Sequence, residues 1–300
     1  MSALAHPVES LLTDSLRKHL DRSLDVSNGL LGMFDDCGDG MFHATLDDVG
    51  TCENDGMAAV VGYVASSDAW RRFNWRWLIS LEQMKLPYLH TAKYLNSFPL
   101  VGGNGLTEED VYTILSPFIN IVHAELIERG AVGVCVITEC GAYEQLTEIE
   151  KKFIREPEVH SFEIAVSQAA MNVRHALNLD NYLAIQVDES HDAPKLYARY
   201  EAMKRENETL KDHLASICFC DDKKHHPVQA ADMLGNLTLK AWRMYRKTQR
   251  WPKAFTELVL PDGKPNMKLD YFGLDRLRAT ARMRKDQQDR MAMPQYEKGI

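Results

Sequence analysis

From Val132 onwards the chain alternates short apolar runs with long segments of helical pattern. Residues 132–138, 183–188 and 215–220 have the length and composition of buried strands. Between them, apolar residues recur at helical spacing, as in residues 159–177 and 194–214. Because strands that alternate with helices pair in parallel, this pattern predicts an α/β fold with helices covering the sheet.

In the first part of the chain, short apolar runs follow one another directly. Residues 30–35, 41–46 and 58–65 are separated by turns rich in Gly and Asp, which predicts an antiparallel meander. Helices are predicted next, over residues 67–85 and from Thr107 to about Arg129. This order fits an RNase H-like mixed sheet with flanking helices, although other α/β folds share it.

The charge and the patterns divide the chain into three segments. Residues 1–29 read as an N-terminal helical extension, residues 30–246 as the RNase H-like domain and residues 247–300 as a basic C-terminal extension. Residues 240–300 carry 15 Lys and Arg against 7 Asp and Glu, a net charge of +8 in a chain whose total is −8. Such asymmetry is typical of a segment that faces nucleic acid, and equally of a solvated basic helix and tail.

Composition also bears on location and on the cysteines. The longest apolar run, residues 58–65, is far shorter than the roughly 20 residues of a membrane helix, so we expect a soluble, cytoplasmic protein without a membrane partner. The cysteines contain no Cys-x-x-Cys pair. Cys218 and Cys220 followed by His225 and His226 match no common zinc spacing, so we expect reduced, partly buried thiols instead of a zinc site.

Acidic residues stand at the ends of predicted strands. Asp35 and Asp36 follow one apolar run, and Asp188 ends another. Ligands of open α/β sheets gather at the carboxyl ends of strands. Asp-rich turns also end strands through local hydrogen bonds, and Glu139, at the end of the preceding strand, competes with Asp188 for the same role.

One more acid lies early in a predicted helix over residues 227–245. Gln229, Asp232 and Asn236 form a polar stripe at i, i+3 and i+7, and small residues beside Asp232 allow a neighbouring backbone to approach. The alternative is a helix-dipole contact near the N-terminus, worth only about 0.3–1 kcal/mol. Because a buried acid usually has a partner, we favour a functional role for Asp232.

Together these motifs resemble a widespread bacterial and phage family of unknown function with an RNase H-like fold. Members begin with Asp-Glu-Ser-Gly-Asp at the end of strand one, where this chain has Asp35-Asp36-Cys37-Gly38-Asp39. Their late helix opens with a Gln-x-Ala-Asp-Leu-Leu type motif, to which Gln229-Ala230-Ala231-Asp232-Met233-Leu234 is similar. A middle strand ending in Asp188 and a histidine after the first long helix, His90, also match.

The resemblance implies roles for individual residues. Asp35, Asp188 and Asp232 would bind metal, and Asp36 and His90 are further catalytic candidates. Asp36 stands where the family has Glu and Cys37 where it has Ser, which puts in doubt any role that needs the longer carboxylate or a hydroxyl.

The predicted chemistry follows from the carboxylates. Mg²⁺ takes oxygen ligands, and two ions roughly 3.5–4 Å apart can clamp both oxygens of a phosphodiester displacement. We therefore expect a nuclease that uses Mg²⁺ or Mn²⁺ to hydrolyse RNA or DNA, with the basic C-terminal region and Arg71, Arg72 and Arg76 guiding the strand. The alternatives are a non-catalytic nucleic-acid or protein binding module on the same fold, and an α/β enzyme acting on a small phosphorylated metabolite.

Overall fold

The computed structural model describes residues 41–96, 105–176, 182–260 and 266–292. Within these ranges the protein is α/β, with a six-stranded mixed sheet in the order β5-β4-β1-β2-β3-β6 and helices on both faces. The strands are β1 Met41–Val49, β2 Met57–Ser66, β3 Val132–Glu139, β4 Tyr182–Asp188, β5 Leu214–Cys220 and β6 Met267–Phe272.

Strand direction brings most strand ends to one side of the sheet. β2 runs antiparallel to both of its neighbours, β1 and β3. The pairs β1–β4, β4–β5 and β3–β6 are parallel. The carboxyl ends of β1, β3, β4, β5 and β6 therefore lie along one edge of the sheet, which we call the carboxyl edge.

The helices form two layers. Their bounds are α1 Cys52–Asp55, α2 Ser67–Gln83, α3 Thr91–Asn96, α4 Glu108–Ile121, α5 Cys140–Glu144, α6 Glu148–Lys151, α7 Pro157–Ala176, α8 Ala193–Glu206, α9 Glu208–Lys211, α10 His226–Thr248, α11 Lys253–Val259 and α12 Leu274–Ala292. After α4 the chain continues as a π-helical turn, Val122–Leu126, and a 3₁₀ turn, Ile127–Arg129. One hydrophobic core joins α2, α4, α10 and α11 to the sheet, and a second joins α7, α8 and α12 to the opposite face.

The predicted helix over residues 67–85 is confirmed as α2, which starts where the Ser66 side chain accepts a hydrogen bond from the Ala69 amide. Its aromatic residues Trp70, Phe73 and Trp77 are fully buried in the first core. They therefore pack the fold, as their spacing predicts, and are not available to stack on bases.

Two helix predictions were wrong in their bounds. The sequence of residues 143–154 predicts a single helix, whereas the structure has two short helices in this region, α5 and α6. The helix expected over residues 194–214 ends at Glu206, because Asn207 takes an extended backbone conformation and its side chain accepts a hydrogen bond from the Leu210 amide at the start of α9. Leu214, predicted as the end of that helix, instead opens β5.

The predicted meander is present in part. Residues 41–46 and 58–65 lie in β1 and β2, which pair antiparallel. In the described part of the chain the next antiparallel partner of β2 is β3, more than sixty residues later. The predicted strand over residues 30–35 and the predicted extension over residues 1–29 lie outside the described residues.

Residues 247–300 contribute directly to the sheet. β6 pairs in parallel with β3, and α12 packs into the second core through Leu277 and Ala281. The described part of this segment is therefore built into the same α/β body as the rest of the sheet.

The cysteines depart from the prediction in one pair. Cys52 and Cys140 are joined by a disulfide, so the expectation of reduced thiols is wrong for these two. The two residues meet because β1 and β3 both end at the carboxyl edge, and each cysteine follows its strand closely. Cys218 and Cys220 are free thiols whose sulfurs lie 3.7 Å apart. No helix among the described residues has the length and apolar character needed to cross a membrane.

Candidate functional site

Two aspartates from neighbouring strands stand side by side at the carboxyl edge. The parallel register of β1 and β4 runs to the pair Leu46 and Val187, so Asp47 and Asp188 occupy the next position on each strand. Adjacent strands are about 4.7–4.9 Å apart, and side chains alternate between faces. Asp47 and Asp188 therefore extend from neighbouring backbones toward the same face of the sheet.

The layer beneath the two aspartates fixes that face. Thr45 and Gln186 are paired in the register, and Thr45 Oγ1 donates a hydrogen bond of 3.1 Å to Gln186 Oε1 in the buried interior. Val49, two residues beyond Asp47, belongs to the core beneath α10. Asp47 and Asp188 thus face α10 and not the α7 layer.

Helix α10 brings a third carboxylate to this face. A Cβ atom added to Gly235 would lie 2.5 Å from Val49 Cγ1, so the glycine allows α10 to pack directly against β1. Asp232 lies nearly one turn before Gly235. Its Oδ2 accepts a hydrogen bond of 3.2 Å from the Thr91 amide, and its Oδ1 accepts one of 2.7 Å from Asn236 Nδ2.

An open cavity of about 520 Å³ lies at this end of the sheet. His90, Asp188, Glu189 and Asp222 are among the residues that line it. His90 directly precedes Thr91, whose amide binds Asp232. The structure therefore brings together three of the residues predicted from the sequence: Asp188, Asp232 and His90.

Gln229 holds the surrounding segments in place. Its side chain is fully buried, and its Oε1 accepts hydrogen bonds from Trp77 Nε1 at 2.9 Å and from the Leu89 amide at 3.1 Å. Its Nε2 donates a bond of 2.8 Å to the carbonyl of Asp222. One carboxamide thus connects α2, the segment that carries His90 and the turn that carries Asp222.

We call Asp47, Asp188, Asp222 and Asp232 the aspartate group. Burial, and then the charges of Asp232, Asp48, Asp188 and Asp222, hold the pKa of Asp47 well above its usual 3.8. Burial, and then the neighbouring Asp222 and Asp48, raise the pKa of Asp188 to about 7. Burial also raises the pKa of Asp232, although its hydrogen bonds with Thr91 and the nearby His90 act in the opposite direction.

These carboxylates lack basic partners. In the described part of the chain no Lys or Arg forms an ion pair with a member of the aspartate group. Asp47 is 4% exposed, and its carboxylate has no hydrogen bond to any described residue. Buried negative charge without compensation is costly, so this arrangement is suited to a group that receives a cation or a proton.

The aspartate group is not a closed ligand shell. Across residues 41–96, 105–176, 182–260 and 266–292, no group of three or more His, Cys, Asp or Glu side chains is placed to hold a metal ion. Cys218, Cys220, His225 and His226 form no such group either.

The other acidic residues predicted from the sequence are Asp35, Asp36 and Glu139. Asp35 and Asp36 lie outside the described residues, and their roles remain predictions. Glu139 lies across β2 from Asp47, where its Oε2 accepts a hydrogen bond of 2.6 Å from the Tyr271 hydroxyl. It is therefore separated from the aspartate group and does not replace Asp188.

The arginines of α2 have carboxylate partners on the protein itself. Arg71 and Arg72 lie 3.9 Å and 3.0 Å from Asp68, and Arg76 lies 2.7 Å from Glu125. A nucleic-acid strand that bound these arginines would have to compete with their ion pairs to Asp68 and Glu125.

Sequence reasoning missed Asp47. The apolar pattern predicts a strand that ends at Leu46, whereas β1 continues to Val49 and carries Asp47 within the strand. The signal was present, because Leu46-Asp47-Asp48-Val49-Gly50 repeats the apolar, acid, acid, x, Gly order of Phe34-Asp35-Asp36-Cys37-Gly38.

Comparison of the chain with protein-family models, with curated proteins and with solved structures found no match.

Proposed function

We propose that the protein is a divalent-metal-dependent nuclease of RNase H-like architecture, which hydrolyses phosphodiester bonds at the aspartate group. The observation that carries this proposal is the placement of Asp47 and Asp188 side by side beneath Asp232, with Asp47 buried, Asp188 and Asp232 half-buried, and none of the three with a basic partner among the described residues. Three acids from distant parts of the chain need a shared reason to lie together, and binding a cation supplies one.

The strand order supports the architecture. Three antiparallel strands, β1, β2 and β3, are followed by β4 and β5, which add in parallel beside β1. This is the order expected of an RNase H-like sheet, with β6 as an additional edge strand. The carboxylates lie at the ends of β1 and β4 and on α10, the helix after β5.

The proposal moves the first acid from Asp35 to Asp47. In the resemblance, two acids and a glycine stand at the end of the first strand of the sheet. Asp47-Asp48-Val49-Gly50 has that spacing at the end of β1, next to the strand that carries Asp188. Asp47, Asp188 and Asp232 are therefore the residues that we assign to the metal site.

The donor chemistry of the aspartate group fits a hard divalent cation, because all of its ligand atoms are carboxylate oxygens. Mg²⁺ commonly binds only one or two protein carboxylates and keeps several waters, so a closed protein shell is not required. Asp47, Asp188 and Asp232 would hold Mg²⁺ or Mn²⁺, which would supply Lewis-acid stabilisation of the charge that develops on the phosphoryl oxygens.

The protein's own groups perform the remaining tasks. Without metal, burial and then the neighbouring carboxylates raise the pKa of Asp188 to about 7, and a bound cation would favour its ionised form, in which it serves as a ligand at the cavity wall. Gln229 and Asn236 orient the segments around Asp232. His90 lies on the wall of the same cavity, within reach of a phosphate oxygen or a leaving group.

The assignment is tested by isosteric substitution. Asp47→Asn and Asp188→Asn should each lower Mg²⁺- or Mn²⁺-dependent cleavage of RNA, DNA or a hybrid by about 10²–10³-fold, because each removes roughly 3–4 kcal/mol of transition-state stabilisation. Cleavage is measured on a gel with labelled oligonucleotides.

Asp48→Asn is the matched control. Asp48 is the next residue on β1 and therefore faces the opposite side of the sheet, so we expect it to lose less than tenfold. Equal losses in Asp47→Asn and Asp48→Asn would contradict the assigned face. If the wild-type protein binds oligonucleotides equally well with divalent metal and in EDTA, and never cleaves them, the protein is a binding module and not a nuclease.

A further inference from the structure

A second cavity lies on the opposite layer of the molecule and is strongly basic. It measures about 560 Å³ and lies between the end of α6, the start of α7 and the first half of α8. Its walls carry five cationic side chains and one carboxylate, Glu156. The cations are Lys151, Lys152, Arg155, Lys195 and Arg199. In a chain of net charge −8, this concentration of positive charge marks an anion-binding surface.

Two of the five cations are without a carboxylate partner. Lys152 and Arg155 make no ion pair with any residue in the described ranges. Lys151 pairs with Glu148 at 3.2 Å, and Lys195 pairs with Glu156 at 3.2 Å and with Asp192 at 3.3 Å. Lys152 and Arg155 are therefore the groups with the most charge to offer a ligand.

The floor of the cavity contains a buried donor without an acceptor. Arg199 is 9% exposed, and its two terminal nitrogens bind Glu163 at 2.8 Å and Glu206 at 2.9 Å. Its Nε is buried and has no hydrogen-bond partner. The Nε has no surface open to solvent, so Arg199 contributes charge to the floor of the cavity and not a free donor.

The start of α7 adds to the same electrostatic field. The first backbone bond of this twenty-residue helix runs from the His160 amide to the Glu156 carbonyl. The amides of Glu158 and Val159 precede that bond, and Val159 lines the cavity. Free amides at a helix start favour anions such as phosphate.

The cavity adjoins the carboxyl edge from the other face of the sheet. Lys195 pairs with Asp192, and Asp192 and Glu158 both act on the pKa of Asp48, the neighbour of Asp47. Seven residues separate Asp188 from Lys195, so their backbones are at most about 25 Å apart, roughly the length of seven nucleotides in a duplex strand.

We propose that this cavity, the α7–α8 basic cleft, binds the phosphate backbone of the nucleic-acid strand whose scissile bond lies at the aspartate group. This inference rests on the proposed nuclease function, and it identifies the substrate as an extended polyanionic strand. Phosphates bind at Lys152 and Arg155, while the strand crosses the carboxyl edge to the cavity lined by Asp188.

The test measures binding without cleavage. Fluorescence anisotropy of a labelled single-stranded 20-nucleotide oligonucleotide is recorded in EDTA for the wild-type protein and for Lys152→Glu/Arg155→Glu. We expect at least a tenfold weaker affinity for the double variant. The slope of log K against log[salt] should fall by about 1.4, since each lost phosphate contact on a single strand removes about 0.7.

The matched control is Arg205→Glu/Lys211→Glu, two exposed cations at the ends of α8 and α9 that do not line the cleft, which changes the net charge by the same amount. We expect less than a threefold effect there. Equal losses in the two double variants would overturn the cleft, because binding would then follow total charge. If the wild-type protein binds pyrophosphate through Lys152 and Arg155 but binds no oligonucleotide, the proposal that the cleft binds a nucleic-acid strand is also overturned.

Two further measurements separate the possible failures. Circular dichroism and the thermal midpoint report whether the variants fold. If the charge-reversal variant does not fold, Lys152→Gln/Arg155→Gln replaces it, and we expect that variant to bind at least about threefold more weakly than wild type. Because the assay excludes metal, absence of Mg²⁺-dependent cleavage would defeat the nuclease while leaving a positive binding result intact.

Discussion

Two groups of buried acids in this molecule are built in opposite ways. Glu163 of α7 lies between two guanidinium groups, with Oε1 at 2.8 Å from Arg199 and at 3.0 Å from Arg284. The aspartate group gathers several carboxylates beneath α10 and has no basic side chain paired to it within the described chain. The first arrangement is electrically complete, and the second is not.

The difference separates structural from functional burial. The Glu163 cluster connects α7, α8 and α12, and so fixes how the last helix packs on the second core. In the aspartate group burial, and then the like charges of the neighbouring carboxylates, raise the pKa values of Asp47 and Asp188, which destabilises the folded state at neutral pH. A fold retains such a feature only where something else, here the proposed cation, depends on it.

The largest expected effect on stability is at Glu163. Glu163→Gln should lower the free energy of unfolding by about 3–5 kcal/mol, because it removes the carboxylate that two guanidinium groups share, leaving Arg199 only its exposed partner Glu206 and Arg284 without its counter-charge. Urea denaturation measures the change. Glu206→Gln is the control, since Glu206 pairs with the same Arg199 but is exposed, and it should cost less than about 1 kcal/mol. Similar losses in both variants would show that Glu163 is not the centre of the cluster.

A divalent metal ion should stabilise the protein by compensating the negative charge of the aspartate group, and it should act at no other site. At a concentration of 100 times its Kd, Mn²⁺ should stabilise the wild-type protein by about 2.7 kcal/mol. Thermal unfolding with and without Mn²⁺, at constant ionic strength, measures this gain. The gain should vanish in Asp47→Asn and persist in Glu163→Gln. A gain that survives in Asp47→Asn would place the ion elsewhere.

The smallest expected effect is a pH-dependent gain from Asp188→Asn without metal. The folded pKa of about 7 lies above the usual 3.8, so the wild-type protein loses stability as the pH rises from about 4 to about 7. The variant avoids this loss. It should therefore be more stable than wild type by about 1–2 kcal/mol at pH 8, a value reduced for the half-buried position, and equal to it near pH 4.

Chemical denaturation at the two pH values gives the difference between variant and wild type, in which other titrations cancel. These include the buried His160, whose pKa is lowered to about 3 by burial, and then by Arg284 and Arg276. A variant that is less stable at pH 8 would mean that the Asp188 carboxylate is structurally required, like that of Glu163.

Much of the fold follows from local patterns. The bounds of α2 and α10 agree with prediction because apolar spacing, the Ser66 cap and Pro227 all act within a few residues. The pairing of β3 with β2 was not predictable in the same way. Three helices of the described chain, α2, α3 and α4, and more than sixty residues intervene, and only the finished sheet shows which neighbour β2 accepts.

The candidate site was predictable in its later parts. Asp188 ends a buried run and Asp232 lies among small residues, and the structure places the two at the same end of the sheet, while their roles as metal ligands stay predictions. Asp47 was missed because two consecutive acids after an apolar run are typical of a turn. What keeps Asp47 within β1 is pairing with β2 through Asp47–Val61 and Asp48–Val60, a long-range contact that local sequence does not reveal.

The Cys52–Cys140 bridge makes one stretch of the protein a covalent ring. It spans 88 positions in sequence and encloses β2, α2 and α4. A protease that cuts once inside the ring releases no fragment until a reductant opens it. Such a cross-link stabilises a fold by about 4–5 kcal/mol in the chain-entropy model. The redox conditions around the protein therefore govern how firmly β1, the strand that carries Asp47, stays anchored when the chain is nicked or heated.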